Sequence, residues 1–251
     1  MLFLTFAAFL YLSDIVNKDN VSLQNFLFLY LIIGYIYYQY QFILHEAAHG
    51  VLFSSRKIND TIGSLVGIIS GYDFRSYRIG HMKHHKFLGS ADDPEYVNFT
   101  RNKILVLIKS FLMIDCFYLF TNLANLKNKK IQGLKTFNFS FLLSIIFYAL
   151  LTFFLNNTLQ HAISFLLIFF VAVGSFTFTI NRIRSIIEHP EISGKVVTRS
   201  YPKKSFFSLF LAPFNFNFHL EHHIFPEISS SHYPKIHKQL ENLGFHYETD
   251  K

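Results

Sequence analysis

Residues 25–50 read NFLFLYLIIGYIYYQYQFILHEAAHG. From Phe26 to Leu44 the stretch carries no charge, and it runs directly into His45-Glu46-Ala47-Ala48-His49. A helix rises about 1.5 Å per residue, and about 20 apolar residues cross the hydrocarbon of a bilayer. Continued as one helix, the stretch spans a membrane and carries two histidines just clear of the lipid. Residues four apart share a helix face, so His45 and His49 point at one spot. The spacing therefore predicts a membrane helix that ends in metal-type ligands.

Three more apolar runs stand at Leu2–Leu12, Phe139–Leu155 and Ile163–Ile180. They complete two hairpins, roughly 2–16 with 25–44 and 139–155 with 162–180. Each hairpin is followed by a polar, His-bearing segment. The expected fold is an all-α integral membrane protein of about four crossings, forming a single domain over residues 1–251. The first run lacks a positive n-region and a small-residue cleavage site, which argues against a signal peptide. Ile104–Asn122 is long enough to cross, but it carries Lys109 and Asp115, costly at mid-bilayer. A crossing there would also put the histidines before and after it on opposite sides. It is expected to be an interfacial helix, as is the short apolar stretch Thr61–Gly71.

Composition agrees. Apolar residues make up 51% of the 251, and aromatic residues 18%, gathered into runs that a soluble domain rarely collects. The net charge is +7, and of 23 Lys and Arg all but Lys18 lie within residues 45–138 or 182–251. The positive-inside rule places those two stretches in the cytoplasm. A His-rich cytosolic cap on a multi-pass membrane protein is thus expected. Its basic face suits a membrane surface or an acidic protein rather than nucleic acid. The single cysteine, Cys116, excludes an internal disulfide and any multi-Cys metal site.

Of 13 histidines, eight fall in three clusters: His45 and His49; His81, His84 and His85; His219, His222 and His223. Offsets of three and four put each cluster on one helix face. Eight imidazoles are too many for one ion. His189, beside Glu188, would make nine, suited to two metals with four or five nitrogens each; spacing alone leaves it open. Imidazole suits iron, zinc and copper alike. His161, His232, His237 and His246 stand apart and are expected to be ordinary polar positions.

The stretches HEAAHG, HMKHHKFLGSADDPE, RSIIEHPE and NFHLEHHIFPE resemble the three histidine boxes of the membrane fatty acid desaturase and hydroxylase superfamily, in its short bacterial form. The likeness runs from about Leu44 to His237. It implies two iron ions held by His45, His49, His81, His84, His85, His189, His219, His222 and His223. It also implies dioxygen as co-substrate and removal of hydrogen from an unactivated C–H bond of a lipid or acyl substrate. An all-imidazole set lacks the carboxylates of soluble di-iron enzymes and leaves the irons more positive. Asn215, Asn217, Glu188 and Asp93 are candidates to hold the ligands from behind. Where some relatives place an Asn four residues before the extra histidine, this chain has Ser185. No flavin, nicotinamide or fused haem fingerprint is present. Electrons are therefore expected from a separate ferredoxin, cytochrome or rubredoxin, for which Lys83, Lys86, Lys203 and Lys204 could form a docking face.

The resemblance favours a desaturase that forms a double bond in an acyl chain, over a hydroxylase or a carotenoid ketolase. Two other classes compete. His45-Glu46-Ala47-Ala48-His49 matches the H-E-x-x-H of zinc metalloproteases, which need one further ligand and an open water position, not seven more histidines. A metal transporter needs polar ligands inside its crossings, and these spans have almost none.

Overall fold

The computed structural model describes residues 2–18, 22–95, 102–114, 132–156, 158–202 and 205–245. The described chain is mainly helical: α1 (Leu2–Asn17), α2 (Leu23–His49), α3 (Arg56–Ser70), α4 (Phe74–Phe87), α5 (Lys103–Phe111), α6 (Gln132–Leu155) and α7 (Leu159–Val171). A π-helical turn, Ala172–Thr177, joins α7 to α8 (Phe178–Glu188). There follow a two-stranded hairpin, β1 (Glu191–Ile192) with β2 (Lys195–Val196), then α9 (Phe206–Leu211), α10 (His219–Ile224) and α11 (Tyr233–Asn242).

Among the described residues two helices are long and apolar enough to cross a membrane, Leu23–His49 with 27 residues and Leu159–Glu188 with 30. At about 1.5 Å per residue they run about 40 and 45 Å, beyond the ~30 Å of hydrocarbon. In the first, the surplus is the segment that bears His45 and His49. In the second it is the segment that bears Asn181, Arg182, Arg184 and Glu188. The expected continuation of the first box as part of the preceding helix is therefore found. The other two expected crossings fall in α1, of 16 residues, and in α6, of 24. The expected interfacial stretch is helical over Lys103–Phe111; Asp115 and Cys116 lie outside the described residues. Thr61–Gly71 falls largely within α3.

Internal contacts divide the chain into two compact units, residues 1–41, 64–76 and 107–180, and residues 42–63, 77–106 and 181–251. In the first unit α1, α6 and α7 pack together. Its core is aromatic: the Phe169 ring lies 5.0 Å from Tyr37 and 4.5 Å from Tyr148, centroid to centroid. At the π-helical turn, Ser175 Oγ donates to the Phe111 carbonyl at 2.7 Å and Thr177 Oγ1 to that of Gly34 at 2.7 Å. Those two hydroxyls tie the irregular turn to its neighbours.

The second unit holds all nine candidate ligands. Its apolar core includes Phe42, Leu44, Leu211, Phe216, Phe218 and Tyr233, all buried. Polar ties set its loops. Arg78 forms an ion pair with Asp60 and also donates to the Ala47 carbonyl at 3.1 Å, fastening α4 to the end of α2.

Candidate metal centre

Each ligand position follows from local chain behaviour. α2 stops directly after His49 because Gly50 adopts φ +78°. There Gly50 N donates to Ala47 O at 3.1 Å and Val51 N to Glu46 O at 3.0 Å, a Schellman end that favours glycine. His81, His84 and His85 lie on the last turns of α4. Beyond it, Gly89 (φ +70°) presses against Val196 so closely that a Cβ would come within 2.9 Å of the valine Cβ. That contact seats the loop of the second box on the hairpin that follows His189. α10 is six residues long and carries His219, His222 and His223 on one face. His189 follows the last residue of α8, its N–H bonded to Ser185 O at 3.0 Å.

The nine rings gather in two adjoining groups. His45, His49, His81, His85 and His222 can each offer a nitrogen, all within 4.8 Å of one another; His84, His189 and His223 form a second such set. His219 joins the second through a 2.9 Å contact of its Nε2 with His189 Nε2. The groups share a wall, where His85 stacks on His223 with centroids 4.2 Å apart.

The spacing of the nitrogens is informative. In the first group Nε2–Nε2 distances are 2.8 Å for His49–His81, 3.1 Å for His81–His85 and 2.9 Å for His85–His222. In the second, His84 and His189 are 3.3 Å apart. Two nitrogens at right angles on one ion, each about 2.1 Å from it, stand about 3.0 Å apart. Both ring nitrogens of His45 and the Nε2 of His223 are buried and have no hydrogen-bond partner. Such groups are costly to bury unsatisfied, and a bound metal would satisfy one nitrogen of each ring. The donor set thus fits metal ions on its own geometry.

The electrostatics favour ligating forms. Burial, reinforced by the neighbouring imidazoles, holds His81, His189, His219, His222 and His223 well below the ordinary histidine value and His85 down to about 3. These rings are therefore neutral at physiological pH, the state that binds metal.

Supporting groups fix the tautomers. Asp93, buried, accepts from His84 Nδ1 at 3.0 Å, from Gly89 N at 3.0 Å and from Glu95 N at 2.8 Å. A carboxylate only accepts, so His84 carries its proton on Nδ1 and turns the Nε2 lone pair towards His189. Tyr233 Oη meets His222 Nδ1 at 2.9 Å and Thr198 Oγ1 meets His189 Nδ1 at 3.4 Å, while Glu188 Oε2, 3.6 Å from His219 Nδ1, lies beyond hydrogen-bond distance. Of the four expected supporting residues, Asp93 and Glu188 stand behind ligands. Asn217 instead braces Tyr201, exchanging backbone and side-chain bonds with it at 2.8 and 3.2 Å. Asn215 accepts from Phe218 N at 3.1 Å in a turn.

Several residues were missed from the sequence. His237, expected to be a polar tail position, is buried and paired with Glu221, itself buried and bonded by Ser200. The signal was present: Tyr233 and His237 are four apart on α11 and face α10 together. Thr198 and Ser200 stand in extended chain and have no periodicity to betray them. His161 is half-buried and His232 exposed; His246 lies outside the described residues, as do Lys203 and Lys204. Glu46 does not behave as a metalloprotease base. Its carboxylate is taken up by Ser229 Oγ at 2.9 Å and Ser230 N at 3.4 Å.

No curated protein and no solved structure matches the chain. The family model for fatty acid desaturases matches residues 23–249, nearly the whole length and every candidate ligand. With two apolar helices of spanning length and two converging histidine groups already in place, that match is decisive: the chain belongs to the fatty acid desaturase family.

Proposed function

We propose that the protein is a membrane-bound, dioxygen-dependent di-iron oxidoreductase that introduces a double bond into a lipid acyl chain. One observation carries the proposal: nine buried or half-buried imidazoles form two adjoining groups with nitrogen spacings suited to two ions. The proposed ligands are His45, His49, His81, His85 and His222 for one iron and His84, His189, His219 and His223 for the other. When bound, the pair of irons supplies activation of dioxygen and removal of hydrogen from an unactivated C–H bond.

The residues of this chain do the rest. Neutral imidazoles hold the ions without cancelling their charge. Asp93, Thr198 and Tyr233 keep the ligating nitrogens turned inward. Burial of the site keeps bulk water from the reacting carbon. The net reaction takes one saturated chain, one dioxygen, two electrons and two protons to an alkene and two waters. Because the electrons come from outside, a separate ferredoxin, cytochrome or rubredoxin is part of the proposal. Lys83 and Lys86, both exposed, fit an acidic carrier.

In the proposed topology the chain is one domain with two membrane hairpins, about four crossings, interfacial helices and a cytoplasmic His-rich cap. The test is expression in a host with competent electron donors, followed by mass profiling of its lipids. A product two mass units lighter is expected. A product sixteen heavier would reassign the chain to hydroxylation, and no change with a competent donor would overturn the reading.

A further inference from the structure

α9 has the wrong face outward for water. A solvated helix normally hides its apolar stripe and shows polar residues. In Phe206–Leu211 the polar residue Ser208 is buried, while Phe206 is 86% exposed, Phe207 59% and Leu209 53%. Phe210 stacks on Phe206 along the same face, centroids 6.3 Å apart. Ser205 and Ser208 form a capping box, so the helix is a built element. At six residues it is far too short to cross a bilayer.

The turn after α9 extends this surface. Phe214 (φ +59°) and Asn215 (φ +66°) both occupy the left-handed region, which is costly for a bulky side chain. The result is that Phe214 points outward, 55% exposed, and Phe216 inward, 1% exposed. Phe216 lies 4.7 Å from Phe42 and 4.8 Å from His45, and Phe214 lies 6.3 Å from Phe42, centroid to centroid. Phe214 is thus the exposed end of a packed row of rings.

Phe42 also sets the level of this surface. It sits where the apolar length of α2 exceeds a bilayer core, and the Arg184 guanidinium covers its ring at 5.2 Å. Arg184 is itself ion-paired with Glu188 at 2.8 Å. The sequence places Lys203 and Lys204 immediately before Ser205, the charge that anionic headgroups attract. An exposed apolar face of this kind denotes an interaction surface, and its level on α2 together with the two lysines that precede it in sequence selects lipid as the occupant.

We propose that α9 and Phe214 are inserted into the lipid of the cytoplasmic leaflet.

The chain contains no tryptophan, so a single replacement reports alone. Phe207→Trp, Phe214→Trp and Leu243→Trp are each made in the full chain and reconstituted in vesicles of phosphatidylcholine with phosphatidylglycerol. Leu243 is 82% exposed in the same unit, next to a polar helix, and serves as the control. At an insertion depth of ~5–10 Å, dibrominated acyl chains should remove about half or more of the Phe207→Trp and Phe214→Trp emission. Aqueous acrylamide should quench only Leu243→Trp. Acrylamide quenching at 207 and 214 would overturn the proposal, because the face would then be wet. Shielding from both quenchers would also overturn it, because protein would then cover the face. Two positions on separate elements guard against one variant misfolding. The readout needs neither iron nor turnover, so its failure would leave the desaturase reading standing.

Discussion

His84 has one ring nitrogen committed to Asp93 and the other turned to His189. This division of labour recurs around the centre and gives the sharpest predictions at residue scale. His84→Ala and His222→Ala are expected to abolish activity and lower iron content while the protein stays in the membrane. Full activity in either variant would remove that residue from the ligand set. Asp93→Asn keeps the shape and loses the charge, and should weaken metal binding by about 10–100-fold, read by chelator competition. Glu46→Ala should leave iron content intact and cost about 1 kcal/mol through the lost turn bonds; a loss of most bound metal would show that Glu46 belongs to the centre. Eight of the ligands were legible as residues, because offsets of three and four on a helix need no tertiary knowledge. His189 was legible only through resemblance, since it follows a helix end alone. His237 and Thr198 were not read, because their roles depend on what packs opposite them.

Among elements, α10 is the one that cannot stand alone. Six residues form a marginal helix in water, and this one carries three of the nine rings. Its stability comes from packing on α11 and from the Glu221–His237 pair at their junction. His237→Ala strips a buried acceptor of its partner and should cost about 1–3 kcal/mol. A lowered melting temperature together with easier loss of iron is expected. An unchanged melt would deny the pair its role.

The histidine groups also give the fold a pH dependence. His81, His85, His189, His219, His222 and His223 are held below the ordinary histidine value. The unfolded chain takes up protons as pH falls through about 6.5, and the folded metal-free chain does not. Stability is therefore full above that value and is lost as pH falls from it towards the depressed values. The melting temperature of metal-free protein should drop between pH 7 and pH 5; a rise on acidification would contradict the buried, neutral state. The continuation of α2 through the first box was legible because an uncharged run and the histidine spacing agree on one helical period. The end of α8 was not: polar residues from Asn181 onwards obscured how far that helix continues past its apolar run.

For the whole molecule, charge and hydropathy marked the class from the start, while the number of crossings rests on α1 and α6, of 16 and 24 residues. The proposed topology of two hairpins would put both termini in the cytoplasm. A fluorescent protein fused to the C-terminus should therefore mature, and a periplasmic phosphatase fused there should stay inactive; the reverse would invert the topology. What length and composition could not reveal is the meeting of rings nearly 180 positions apart in sequence, which only the packed unit displays. Metal content is the most direct probe of that meeting. The chain, expressed with ample iron and extracted in mild detergent, is to be analysed for all transition metals per polypeptide. Two irons per chain, reduced in His84→Ala and His222→Ala, is the expected result. A single zinc per chain, or iron content indifferent to both substitutions, would contradict the di-iron centre.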